Sequence, residues 1–441
     1  MVWVKFSGLR KLSDCLTRFG RDRSGALMVT YALILPFLLG VIGLGVESGI
    51  WYASKRNIQT QADAAALSGA YERRRGNPSY SVVSAAALKE AERNGYVNAA
   101  PHSIVINNPP TSGPSAGNQA SVEVIVTEQQ QPLFSSLFLN QLSVKSRSVA
   151  TVETTGTACV LAMDPSASNA IMNQGNPTIL MDGCVMAANS TDSSAISISG
   201  SAIVDADSLW TAGDISIGGS ATVSLDSAPT INAWPLQDPY AGITIPTFGA
   251  CDHNSKTYAN ETATIDPGVF CSGLTFGTSA VITLNPGTYY IDEGDLKFNA
   301  SAYVRCSCPD PEDGVTFVLT SSAGNAGAIG TVTINGGADV ILRAPTDPAD
   351  PFKGILVYQD PLAPAGQSLK FNGGSTMLLT GALYAPSQTI EWSGGNSAAG
   401  STCTQIVGNQ VKFVGNTEIV NTGCETAGIT PLAIVGVKVT E

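Results

Sequence analysis

Histidine occurs only twice, at His102 and His253, and no C-x-x-C is present, so the closely spaced ligand pairs that usually hold tetrahedral zinc are missing. Charged side chains are scarce, 13 % of the chain, and after Arg147 the only arginines are Arg305 and Arg343. Residues 157–441 hold 8 Lys plus Arg against 25 Asp plus Glu, a net charge of −17. That balance repels phosphate backbones and anionic polysaccharide, which excludes nucleic acid as a partner. The same scarcity leaves Glu391 and the aspartate clusters without the basic residues that pectin-cleaving β-helix enzymes gather in a groove. Helical periodicity is lacking beyond residue 100, and with 45 glycines the remainder reads as mostly β structure.

What is present begins with an apolar run. Ala26–Val46 contains no charged residue, and at 1.5 Å per residue its 21 residues make a helix of about 31 Å, close to the hydrocarbon thickness of a bilayer. A secretory h-region needs only about 7 to 15 apolar residues, so a membrane span fits better than a cleaved signal or a buried core helix. Pro36, Gly40, Gly43 and Gly45 are tolerated in spanning helices. Lys5, Arg10, Lys11, Arg18, Arg21 and Arg23 precede the run, which places residues 1–25 in the cytoplasm and exports the chain beyond Val46.

Cysteine usage agrees with export. Cys15 alone lies before the run; the other eight are Cys159, Cys184, Cys251, Cys271, Cys306, Cys308, Cys403 and Cys424. An oxidising compartment pairs them, and their clustering suggests 159 with 184, 251 with 271 and 403 with 424, leaving the "CSC" at Cys306–Cys308 to itself. A zinc site built on "CSC" and two distant thiols is the competing reading.

Past the run the helix is expected to continue, with Ile50, Ile58, Ala62, Ala66 and Ala70 on one small-sided face. A second helix is marked by Asn77 as N-cap, Pro78 at its first position and Gly95 as its stop. "SIVIN", "SVEVIVTE" and "SVKSRSVATVE" alternate as strands, which completes a pilin-like α+β module over 47–156. Over 157–441 a loose repeat begins at Ile198, Ile217, Phe276, Phe298, Ile334, Phe371 and Phe413. Spacings of 19, 59, 22, 36, 37 and 42 residues fit one, three, one, two, two and two turns of a right-handed β-solenoid or β-helix-like domain. A β-sandwich with regular turn signals is the alternative. On the solenoid reading the 159–184 and 403–424 pairs bracket the first and last coils.

The stretch "RDRSGALMVTYALILPFLLGVIGLGVESGIWYASKRNIQTQADAAALSGA" resembles the N-terminal domain of the TadG-like proteins of the Tad (Flp) pilus assembly system. "ACVLAMDPSASNAI", "GCVMAANS", "PGVFCSGLTFG", "PGTYYIDEGDL" and "GALYAPSQTI" resemble the exported region of alphaproteobacterial members. The resemblance implies a single-pass protein of the bacterial inner membrane, working in pilus assembly, anchoring or surface presentation with other Tad components. Related pilin-like proteins carry a glutamate five residues after the processing glycine. Here Gly25 is followed at that distance by Thr30, so the anchor is expected to be retained.

Motifs that suggest chemistry are each matched by a plainer reading. "DPSAS" at Asp164–Ser168 has the ion-site pattern of von Willebrand A domains but lacks the alternating helices such a domain needs. "GPSAG" around Ser115 sits in a loop rather than between a strand and a helix. "DAD" at 205–207, "DEGD" at 292–295 and "DPEDG" at 310–314 have no EF-hand or RTX spacing. Trp210, Trp234 and Trp392 offer sugar-stacking faces or coil-edge packing. The expectation is a protein without enzymatic activity, catalytic residues, metal or cofactor. An adhesin holding a surface glycan or protein ligand, and a carbohydrate-active enzyme, are the rivals.

Overall fold

The computed structural model describes residues 24–74, 78–373, 376–394, 403–421, 424 and 427–441. The basic residues up to Arg23, Cys15 and the expected N-cap Asn77 lie outside the described residues. The chain separates into two compact units, Met1–Glu153 with Val435–Glu441, and Thr154–Ile434. The second part was expected to run to 441, but its last residues belong to the first unit. There Thr440 N–H donates to the Val149 carbonyl, and Val149 N–H to that of Glu441.

In the first unit α1, Ser24–Arg74, passes unbroken from the apolar run through the alanine-rich segment, with Pro36 inside it. Ile58, Ala62, Ala66 and Ala70 are buried as their spacing requires, whereas Ile50 is exposed, because the buried positions on either side of it are Glu47 and Ser54. The second helix, α2 (Tyr80–Arg93), starts after Ser79 rather than at Pro78 and stops at Gly95, whose positive φ lets the chain turn off. Strands β1 (Ser103–Asn107), β2 (Ser121–Gln130) and β3 (Leu142–Ala162) pair antiparallel in that order. Small side chains let the layers approach: a Cβ on Gly69 would meet Val122 of β2 and the side chains of Ala87 and Val83 on α2. β3 outruns the expected end at Gly156 and carries the chain into the second unit.

The second unit is mainly β, and its described strand pairings are parallel, which excludes the antiparallel sandwich. The chain visits three strand columns in turn. The first column sets 253–254, 268–271, 287–292, 315–320, 355–359, 381–385 and 404–408 side by side, then 158–162, 185–188 and 208–211. A second column runs from 256–258 through 389–393 and 411–415 to 171–175, 196–198 and 215–217. The third runs from 262–265 to 377–380, and at its other end 418–421 pairs with 178–181, followed by 203–206 and 222–225. Spatial order is therefore a permutation of sequence order. The segment 154–225 occupies one end, and the strands from 253 onward begin at the far end and work back to it.

The repeat positions stack on one another. Tyr258, Phe276, Phe298, Ile334, Phe371, Trp392, Phe413, Asn173, Ile198 and Ile217 follow in register up the second column. The turn counts differ from expectation. Phe298 to Ile334 and Ile334 to Phe371 are single turns swollen by long corner loops, and Ile217 to Phe276 contains the crossing from one end to the other. Spacing counts residues, and a loop adds residues without adding a turn.

That crossing, residues 226–252, lies along the outer side of the first column. Asn189 and Leu236 exchange two hydrogen bonds, Nδ2 to carbonyl at 2.8 Å and N–H to Oδ1 at 2.7 Å. Further on, the Tyr240 ring meets Tyr384 edge-on at 5.3 Å, and Phe248 stacks on Tyr290 at 4.5 Å. Cover on this side explains why Val315–Thr320 and Ile355–Gln359 are buried at every position, on both faces.

Candidate functional site

Chemistry-bearing side chains gather at the exit of α1 from its apolar run and at the seam where 403–424 meets 158–184. At the first, Gly43 and Glu47 are buried while most described neighbours from Met28 to Ile50 are exposed. The two stand one turn apart on the same face. Glu47 accepts hydrogen bonds from the N–H groups of Leu133 (2.7 Å) and Ser135 (2.8 Å) and from the Ser135 hydroxyl (3.0 Å). A Cβ on Gly43 would overlap the Phe134 ring. Sequence reading passed over this clasp. Its signal was a single carboxylate closing a long uncharged run. Gly25, the candidate processing position, lies in the first turn of α1.

At the seam all three columns close at once: Ile406–Gly408 pair with Val160–Ala162, Val411–Gly415 with Ile171–Gly175, and Glu418–Asn421 with Thr178–Met181. Disulfides Cys159–Cys184 and Cys403–Cys424 lie on its two sides, with Cα separations of 5.6 and 4.8 Å. The Cys159 and Cys424 sulfurs stand 3.6 Å apart. These pairs were expected to cap the ends of the stack. They flank its internal junction instead, because the first and last coils in sequence are neighbours in space. The bridge at a free end is Cys251–Cys271. Cys306 and Cys308 bond to each other, which removes "CSC" from any zinc set. Cys159, Cys403 and Cys424 have sulfurs within 4.8 Å, but paired sulfurs are not thiolate ligands.

The remaining candidates are absorbed locally. Asp164 accepts from Ser166 N–H (2.9 Å), Ala167 N–H (2.8 Å) and Asn409 Nδ2 (3.2 Å), so "DPSAS" is a turn lying across the seam. Asp292 takes the Ser322 N–H and hydroxyl, while Asp295 takes Thr331 N–H and pairs with Lys297 at 2.9 Å. In "DPEDG" the Asp313 carboxylate accepts Asp310 N–H, and Arg343 Nε donates to the Asp313 carbonyl. Burial pushes the Asp207 carboxyl upward, and the charges of Asp226 and Asp182 add to it. Trp392 is buried and stacks on Phe371 at 5.0 Å, so it offers no face to a sugar. Trp210 Nε1 donates to the Trp234 carbonyl, and Trp234 is exposed.

Ser115 stays in its loop. Its N–H donates to Glu441 Oε1 (2.8 Å), and Glu441 also binds Arg147, which reaches Glu123 at 2.6 Å. Burial alone would raise the Glu123 carboxyl. Donors from Asn107, Thr111 and Arg147 outweigh it and hold the group down at about 2. A small concavity, half open to solvent, is lined by Gln61, Tyr96, His102 and Glu128.

No curated protein and no solved structure matches this chain. Residues 25–72 match the family described as putative Flp pilus-assembly TadE/G-like, and that span is nearly the whole of α1, which is long and apolar enough to cross a membrane. Over residues 25–72 the chain is therefore similar to the putative Flp pilus-assembly TadE/G-like family.

Proposed function

We propose that the chain is a non-enzymatic envelope protein of the Tad (Flp) pilus assembly system. It is held in the bacterial inner membrane by the first part of α1, with its N-terminal end in the cytoplasm. The bulk is exported, and residues 154–434 form a right-handed β-solenoid that serves in assembly, anchoring or presentation of the pilus with other Tad components. The coincidence of the TadE/G-like match with an apolar helix whose side chains face outward carries this reading. Handedness follows from the general rule that parallel strands joined by a crossover turn right-handed. Local hydrogen bonding of Asp164, Asp292 and Asp295 supports a scaffold rather than a catalyst.

Alkaline phosphatase fused after Glu441 should be active, since it folds only outside the cytoplasm; an inactive but intact fusion would overturn the topology. Deleting the chain should abolish surface pili. Pili that persist while surface attachment is lost would favour the adhesin, for which the exposed Trp234 beside Trp210 is the supporting observation.

A further inference from the structure

The loop between β2 and β3 is unusual in composition and in position. From Gln129 to Val144 it contains no charged residue, and it exposes Leu133 (63 %), Phe134 (52 %), Phe138 (87 %) and Leu139 (41 %). Four large apolar side chains bared on one short loop make a patch that a soluble surface rarely carries without a partner. The loop does not swing freely. Its root is tied to α1 where Ser54 donates to Glu128 (2.8 Å) and Gln130 donates to Ser54 (3.1 Å), and its tip is tied by Glu47 and seated on Gly43.

Position decides what covers it. Gly43 lies inside the uncharged run that ends at Val46, about 5 Å before that end by helical rise. A loop seated at Gly43 is level with side chains that meet lipid if α1 spans, and its apolar residues continue that surface. Lys55, Arg56 and Lys145 are exposed farther along, about 12 Å beyond Glu47 for Lys55, on the side where headgroup phosphates would lie. Glu47 at this depth would be costly as a bare charge, and the loop supplies three donors to it.

We propose that residues 131–139 are a second membrane contact, an apolar loop lying in the headgroup and acyl boundary of the bilayer that α1 crosses, locked to the anchor by Glu47. The proposal rests on the reading of α1 as a membrane anchor. Its physical consequence is orientation: one spanning helix leaves a domain free to tilt, whereas a helix with a loop docked beside it sets the first unit at a fixed angle to the membrane.

The test uses the full chain in vesicles of phosphatidylethanolamine and phosphatidylglycerol, with p-benzoylphenylalanine replacing Phe138, Leu39 or Val82 in three separate preparations. All three positions are exposed, so folding is not at stake. After illumination, Phe138 should yield lipid adducts within about threefold of Leu39, as expected for an interfacial side chain, and Val82 none. Lipid adducts at Leu39 with none at Phe138 would overturn the loop contact and leave the anchor standing. A protein adduct at Phe138 would overturn it in favour of a partner chain. Absence of lipid adducts at Leu39 would remove the anchor reading, and this proposal with it.

Discussion

A carboxylate enclosed by five donors behaves differently from one on a surface. Glu123 is buried and accepts from Asn107 Nδ2, Thr111 N–H, the Thr111 and Ser112 hydroxyls and Arg147 Nε. Its folded value, about 2, lies below the ordinary 4.5 of a glutamate. The stability it contributes is therefore complete above the ordinary value and is lost as pH falls through the folded one. Glu123→Gln should lower the stability of the first unit at neutral pH by about 1.5–3 kcal/mol, the worth of hydrogen bonds to a charge, and the gap from the parent should close between about pH 4.5 and 2. Urea unfolding followed by hydrogen exchange across 103–153 checks both; a gap that persists at pH 2 would mean the charge is not what matters. Glycine makes a second case. Gly200 has φ +76°, and a Cβ there would run into the Gly175 backbone, while Gly218 has open space around it. Gly200→Ala should cost at least about 1–2 kcal/mol through backbone strain alone, and Gly218→Ala well under 1. Equal midpoint shifts in urea for the two would contradict the stacked corner. The corner glycines were legible in the repeat; the Glu123 cluster was not, since its donors come from two strands and a loop.

At the scale of elements, sequence reading succeeded where one local signal fixes one segment. β1 appears as "SIVIN" because alternation bounded by turns has few other solutions, and Ile58, Ala62, Ala66 and Ala70 fall on one face because the helical period allows nothing else. It failed on turn counts, where corner loops such as 307–314 and 344–354 lengthen a turn without marking it. The disulfides show the result of that failure. Among the described residues Cys251–Cys271 staples a coil with a neighbour on one side only, whereas Cys403–Cys424 staples one with neighbours on both. Stability in a stacked array comes from nearest neighbours. Replacing Cys251 and Cys271 by serine should therefore increase exchange and proteolysis only over the end coil, about 253–265. The Cys403→Ser, Cys424→Ser pair removes a loop constraint of about 3 kcal/mol next to the seam and should raise exchange on both sides of it, in 158–181 as well as 404–421. Fraying confined to the C-terminal side would restore the end-cap reading.

For the whole molecule, the order of the stack was illegible because nothing local records it. The crossing 226–252 reads as an ordinary loop, and no spacing reveals that 404–421 returns to pair with 160–181. Non-local closure of this kind carries a kinetic burden, since the seam cannot form until the last coils are made. It also implies that chain continuity through the crossing is dispensable once folding is complete. Each disulfide lies wholly on one side of Gly249: Cys159–Cys184 before it, the other three after it. If a protease site is inserted after Gly249, which is exposed, and cut in the folded protein, no covalent link will join the two pieces. Three parallel columns still join them, and so do Tyr240 against Tyr384 and the Tyr384 hydroxyl donating to Asp238 on the retained crossing. The nicked protein should therefore elute as one species of unchanged size under native, non-reducing conditions, and should fail to reassemble after unfolding in urea and dilution, because the pieces must then meet as separate chains. Separation of the pieces immediately on cleavage would show that the columns do not close between 404–421 and 158–181, and the permuted order of the stack would fall with them.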